Sequence, residues 1–290
     1  MRGWSDKNIV IKIQSYKEGI CWWCGKLADS QEHRHKKSDI KHIFGNKFEG
    51  NPIIIGDNYQ KEIQGPNSKL LKFDNVLCQV CNNKRSQPFD KAYVLFVNYV
   101  LKNYESILDK GIIDLNNIVK TNVINFKHNI FRYFTKFICC RLASNNISID
   151  KKLLGFLNNE EPLNFLYFKF ELRPDIYSFL NRDGVDEYEG NIYLSPLRYF
   201  LSEDQININL VYQFYNLQWF RIYTFYSETM TNENYAGFQK YNDSHLIPIE
   251  SKYSIHPDKL FDQIYDSGLK EKEDGEWLDE YLDYNIFIKS

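Results

Sequence analysis

The 290-residue chain contains no apolar run approaching the roughly 18–20 residues that cross a bilayer. The sequence therefore predicts no membrane helix. Its first residues, Met1-Arg2-Gly3-Trp4-Ser5-Asp6, lack the apolar core of a secretory signal, and the expected location is the cytoplasm. No internal repeat and no low-complexity tract interrupts it. A thioredoxin-like βαβ pattern is also missing around its C-x-x-C pairs, which argues against redox use. Apolar residues, by contrast, make up 43% of the chain, with 21 Phe and 21 Tyr. That is enough for a core of two domains, and packing is the expected use of so many rings.

Charge is balanced overall, at −2, but unevenly distributed. Residues 1–90 hold 15 Lys/Arg and 10 Asp/Glu; the remainder holds 21 and 28. A basic first part is the direction expected of a surface that meets phosphate backbones, although a solvated surface explains it nearly as well.

Periodicity places the elements coarsely. Phe89, Tyr93, Phe96, Val97, Val100 and Leu101 have helical spacing, with Pro88 near the first turn. Residues 123–143 form a second helix candidate and Lys151–Leu157 a short third. A linker is expected near 102–120, and residues 45–69 read as loop around Ile53-Ile54-Ile55. Alternation predicts strands at 168–172 and 206–214, and 217–226 reads as another strand. Asn8–Ile13 is too short to assign. Asp258–Tyr265 reads as helix, and Lys270–Asp283 as a solvated acidic stretch. Trp219, Phe220 and Tyr223 are expected in the core, as are the adjacent Cys139 and Cys140. Arg132, Lys136 and Arg141 are expected on a polar helix face, whether ordinary or an extension of a DNA track.

Four of the six cysteines carry the clearest signal. Cys21-x-x-Cys24 and Cys78-x-x-Cys81 can each chelate through one turn, and together complete the all-thiolate tetrahedron of structural zinc. Gly25 suits a positive φ at the knuckle exit. Fifty-three residues separate Cys24 from Cys78, so the intervening segment must carry structure of its own.

Inside this frame stands Glu32-His33, and directly after it Asn82-Asn83. Here, over roughly residues 20–100, the sequence resembles the HNH endonuclease family, in which an acid–His step, an Asn and a closing His or Asn sit in a four-cysteine frame. The resemblance implies an α+β protein. A zinc-stabilised ββα-metal, or treble-clef, HNH domain would occupy residues 1–110. The resemblance also implies metal-dependent hydrolysis of phosphodiesters, with double-stranded DNA as the expected substrate. Residues 111–290 resemble no family; their helix and strand patterns suggest a mixed helix/strand accessory domain, expected to control target choice, activation or assembly.

The chemistry of the side chains suits the same roles. A neutral imidazole at His33 can take a proton from water. Glu32 and the carbonyl oxygen of Asn82 are hard ligands for Mg2+ or Mn2+. Asn75 would orient the loop carrying His33. The chain departs from the family in having Glu for Asp, Asn for a closing His, and a short step from Asn75 to Cys78. The last makes Asn67 an alternative to Asn75. A second register would use Asp39 and His42. His35 is expected to be solvated, and Asp90 to lie on a helix surface. Arg34, Lys36, Lys37, Lys41, Lys84 and Arg85 flank the centre as candidate phosphate contacts. Two-strand cutting commonly uses a dimer, so a homodimer or partner protein is an expected association. Restriction or phage defence would fit by family analogy. The competing reading is a non-catalytic zinc module that binds nucleic acid or protein.

Overall fold

The computed structural model describes residues 16–46, 48, 52–56, 59–63, 65–160, 166–181, 192–195, 197–201, 208–227, 234–235, 238–240, 244–251 and 285–288. It is a mixed helix and strand protein. The first elements are β1 (Ser30–His33), α1 (Lys37–Phe44), β2 (Pro52–Gly56), β3 (Tyr59–Glu62) and β4 (Lys72–Leu77). The expected loop at 45–69 thus contains a hairpin, with Ile53 opposite Glu62. Strands β1 and β4 pair antiparallel, Ser30 opposite Leu77, Gln31 opposite Asn75 and His33 opposite Lys72, with the register shifting on both sides of Gln31. A π-helical turn over Val80–Arg85 then leads into α2 (Gln87–Lys102). Pro88 falls in the first turn of α2, where its missing N–H leaves no helical bond unmade.

Residues 102–120 are not a linker. They form α3 (Tyr104–Lys110), β5 (Ile112–Asp114) and a 3-10 turn at Leu115–Asn117. Polar residues flank this stretch, but Tyr104, Ile107, Ile113 and Leu115 are buried. Gly111 ends α3 in the left-handed region at φ 63°, donating its N–H to the Ile107 carbonyl, the turn the Lys110-Gly111 pair permits.

Next come α4 (Val123–Ser144) and α5 (Lys151–Leu157), close to their expected spans. Helix α4 is buried on nearly every side because it lies between two layers. Phe131 and Phe134 meet Phe168 of the large sheet, while Phe137 meets Phe73 of β4. Along its flank, Tyr133 stacks on Tyr93 of α2 at 3.9 Å between ring centroids. This position corrects the expectation for Arg132, Lys136 and Arg141. None forms a surface track, and all three are buried. Their charges are met internally. Arg132 donates to the Phe156 carbonyl, Lys136 pairs with Glu32, and Arg141 donates to Gln213 and the Ser195 carbonyl. A helix enclosed by two layers has no solvated face on which to leave them.

The remaining elements are β6 (Leu166–Leu172), α6 (Pro174–Leu180), β7 (Ile192–Leu194), β8 (Arg198–Leu201), β9 (Ile208–Leu217), β10 (Phe220–Ser227), β11 (Asn234–Tyr235), β12 (Phe238–Lys240), β13 (Leu246–Pro248), β14 (Glu250–Ser251) and β15 (Asn285–Ile288). The largest sheet runs β11-β12-β6-β10-β9-β7-β15-β2-β3, with β8 against β9 and β14 parallel to β6. Its centre is the hairpin β9–β10, in which Leu217 faces Phe220 across a two-residue turn. Phe170 and Phe220 of this sheet pack on Phe96 of α2. Trp219 and Phe220 are buried, as expected, while Tyr223 is half-buried. Apart from this sheet, β13 pairs with β5, Ile247 opposite Ile113.

One contiguous set of core residues runs from Cys21 to Ile249 and crosses residue 110 without a break. Cys139 and Cys140 are wholly buried within it. Among the described residues, no helix is long and apolar enough to cross a membrane. Asn8–Ile13, Asp258–Tyr265 and Lys270–Asp283 lie outside the described residues.

Candidate metal centre and the adjoining acid–imidazole cluster

The two cysteine pairs meet at the Ser30–Leu77 end of the two-stranded β1–β4 sheet. Cys21 and Cys24 lie on a knuckle closed by the Gly25 N–H donating to the Cys21 carbonyl, with Gly25 at φ 73°. Cys78 follows β4, and Cys81 lies in the π-helical turn. The four sulfurs all fall within 4.8 Å of one another, and Cys24 and Cys78 are 3.6 Å apart. Four thiolates about 2.3 Å from one zinc would be separated by about 3.8 Å, so the cluster is of a size that could hold such an ion. Burial pushes the Cys21 and Cys81 thiols up. At Cys78 burial is outweighed by donation from the Cys81 N–H and neighbouring thiols, which holds that group down. A cation among the sulfurs would favour their thiolate forms. Around it, Trp22 stacks parallel on Trp23, Trp23 on Phe89, and the Arg85 guanidinium lies 4.6 Å from the Trp23 ring centre.

At the far end of β1 stand Glu32 and His33. The His33 ring is held by the Pro66 carbonyl, 3.2 Å from Nε2. A carbonyl only accepts, so Nε2 carries the proton and Nδ1 presents a lone pair. Burial pulls the His33 pKa below the usual histidine value. The residue that positions this ring is thus Pro66. Asn75 is exposed on β4 opposite Gln31, away from the Lys72 position that faces His33. Asn67, the alternative, is an exposed neighbour of Pro66.

Asn82 is buried where the π-helical turn crosses β1. Its Nδ2 donates to Ser30 Oγ (3.0 Å) and to the Gln31 carbonyl (3.2 Å). Its Oδ1 is buried with no hydrogen-bond partner. A buried amide oxygen of this kind can accept from a donor or ligate a cation.

Glu32 is also buried, and its Oε2 lies 2.8 Å from Lys136 Nζ. The same ammonium is 3.1 Å from Ser86 Oγ and 3.7 Å from Asp90 Oδ2. Ser86 Oγ lies 2.5 Å from the Asn82 carbonyl. Lys36 closes the cluster by pairing with Asp90 Oδ1. Asp90 is therefore no isolated surface carboxylate; it is a member of a four-charge group. Burial alone would lower the Lys136 pKa, but Glu32 and Asp90 outweigh it and carry the group above the ordinary lysine value.

Of the candidate phosphate contacts, three make internal contacts. Arg34 donates to the Lys72 carbonyl and lies over Phe73, Lys36 pairs with Asp90, and Arg85 donates to Asn158 and covers Trp23. Lys37 is half-buried, while Lys41 and Lys84 are exposed.

The second register does not assemble. Asp39 is buried and accepts hydrogen bonds from Tyr93 (2.6 Å) and Tyr215 (3.2 Å), while His42 lies exposed on the same helix. Burial pushes the Asp39 carboxyl up to about 6. His35 is not solvated. It follows the end of β1, is 1% exposed, and its ring lies 5.7 Å from that of Tyr215.

Lys136 is the member of the cluster that sequence reasoning missed. Its one signal was composition: Lys136 stands in the largely apolar run Phe134-Thr135-Lys136-Phe137-Ile138-Cys139-Cys140, where a buried ammonium would need an acidic partner. No known protein family, no curated protein and no solved structure matches this chain.

Proposed function

We propose that the chain is a zinc-stabilised, metal-dependent endonuclease of the HNH type acting on double-stranded DNA. The observation that carries the reading is the buried, unpartnered Oδ1 of Asn82 beside the strand that ends in Glu32-His33, directly after a cluster of four thiols. His33, with Nε2 bonded to Pro66, has Nδ1 available to take a proton from water as the water oxygen attacks phosphorus and the P–O bond to the leaving sugar breaks. The acceptors suited to Mg2+ or Mn2+ are the Glu32 carboxylate and Asn82 Oδ1, both hard oxygens. Such a cation would supply charge stabilisation at the phosphate. Lys37, Lys41 and Lys84 are the basic residues best suited to meet the DNA backbone.

One observation favours a non-catalytic zinc module instead. Glu32 is already neutralised by Lys136, and Arg34, Lys36 and Arg85 are engaged within the protein. Plasmid cleavage by zinc-loaded protein, with and without Mg2+ or Mn2+, separates the two readings. The nuclease nicks or cuts only with the divalent ion. Its His33→Ala variant keeps its zinc and loses about 10²–10⁴ in rate, the usual contribution of a general base. DNA binding without cleavage under any divalent ion would leave the zinc module standing.

A further inference from the structure

We propose that Lys136 is a positioning residue of the catalytic centre, so that α4, which lies beyond residue 110, completes the site. This rests on the endonuclease reading and deepens it.

Lys136 is 1% exposed and cannot reach a DNA phosphate. An ammonium has three N–H donors, and here they face three acceptors: Glu32 Oε2 at 2.8 Å, Ser86 Oγ at 3.1 Å and Asp90 Oδ2 at 3.7 Å. Two of those acceptors lead to the candidate divalent-ion ligands. Glu32 is held directly through one oxygen, and among the described residues no contact engages the other. Asn82 is held through Ser86, whose Oγ lies 2.5 Å from the Asn82 carbonyl. A single fixed ammonium thus sets the orientation of one ligand and the backbone of the second. Stability alone gives no reason for this. A buried ion pair is commonly replaced by apolar side chains without loss, so its geometry is the more telling feature. Outer-shell groups that orient ligands in this way usually carry about 10–100-fold of metal affinity or activity.

The arrangement also changes the role of the segment after residue 110. Helix α4 fills the gap beneath β1 and α2, and the first 110 residues lack the cation that Glu32 and Asp90 share. Truncation there would remove part of the catalytic centre along with any control of target choice.

The test uses the full-length, zinc-loaded protein and its Lys136→Met and Lys136→Gln variants. Mn2+ affinity is read by electron paramagnetic resonance, and kcat and KM on supercoiled plasmid. Zinc content and circular dichroism establish that each variant is folded. Lys136→Met is expected to weaken Mn2+ at least about tenfold and to lower kcat by about tenfold or more, with KM for DNA little changed. Lys136→Gln keeps an N–H for Glu32 and is expected to recover part of both. Folded Lys136→Met with Mn2+ affinity and kcat within about twofold of wild type would overturn the proposal. So would a rise in KM alone. Should Lys136→Met fail to fold, Lys136→Gln decides alone: loss in kcat and Mn2+ affinity supports the role, and wild-type values overturn it. A wild type that neither binds Mn2+ nor cuts sinks the endonuclease reading and this proposal together, an outcome distinct from loss confined to the variants.

Discussion

Asp39 gives the sharpest quantitative prediction. Its carboxylate is buried among α1, α2, α4 and β9, facing the hydroxyls of Tyr93 and Tyr215, with Ser38 beside it and Lys36 and Tyr133 nearby. Burial moves its pKa from 3.8 to about 6, against the pull of the two tyrosine donors. The folded protein therefore binds this proton more tightly than the unfolded chain does. The stabilisation is complete below pH 4 and is lost as pH rises through 6. A shift of roughly two units corresponds to about 3 kcal/mol at 1.36 kcal/mol per unit. Asp39 is 3% exposed, so solvent screening does not reduce this figure much. Asp39→Asn removes the charge and keeps an acceptor for Tyr93. Allowing about 1 kcal/mol for the altered hydrogen bonds, the variant should be about 2 kcal/mol more stable than wild type at pH 8. Roughly half of the 3 kcal/mol falls between pH 5 and 8, so the difference should shrink by about 1.5 kcal/mol at pH 5. Urea unfolding of both zinc-loaded proteins at a series of pH values measures it, and the zinc contribution cancels in the comparison. A difference that stays constant across that range would refute the reasoning, because it would mean that Asp39 does not titrate between the two states.

Two further outcomes test the frame and the core. Cys81→Ser should abolish stoichiometric zinc binding, since three thiolates leave the tetrahedron open, and should destabilise the β1–β4 strand pair; zinc content by a chromogenic chelator checks it, and retention of a full equivalent would count against the four-cysteine site. Phe134→Ala should cost about 3–5 kcal/mol in urea unfolding, because the ring is 3% exposed and contacts Tyr93, Tyr133, Phe168 and Phe170. A loss below about 1 kcal/mol would mean that the α4–sheet layer collapses into the gap or is less closely packed than described.

The four-charge group gives α4 a character that periodicity does not convey. Its apolar residues at 126, 130, 134, 137 and 138 marked a helix, and the observed span differs from the expected one by a single residue. The same spacing suggested a solvated opposite face for Arg132, Lys136 and Arg141. That inference holds for a helix with one covered side. Here the two-stranded β1–β4 sheet carrying Phe73 covers the side that the large sheet leaves open. The linker expectation at 102–120 failed for a related reason: polar and glycine residues signal turns, but the pairing of Ile113 with Ile247 joins positions more than a hundred residues apart.

Sequence alone determined the parts of this protein governed by local spacing. Two residues between cysteines suffice for one turn of chelation, Gly25 and Pro88 sit where their backbones require, and alternation marked β6 and β9. It also put Glu32, His33 and Asn82 next to the frame, because they are its neighbours in the chain. Only the tertiary structure decided which groups those residues face. It brought the Pro66 carbonyl to His33, Lys136 to Glu32, Lys36 to Asp90 and two tyrosines to Asp39. Periodicity records which side of an element is apolar; the partner across a buried contact is set by how whole layers pack, and no spacing within a single element contains it.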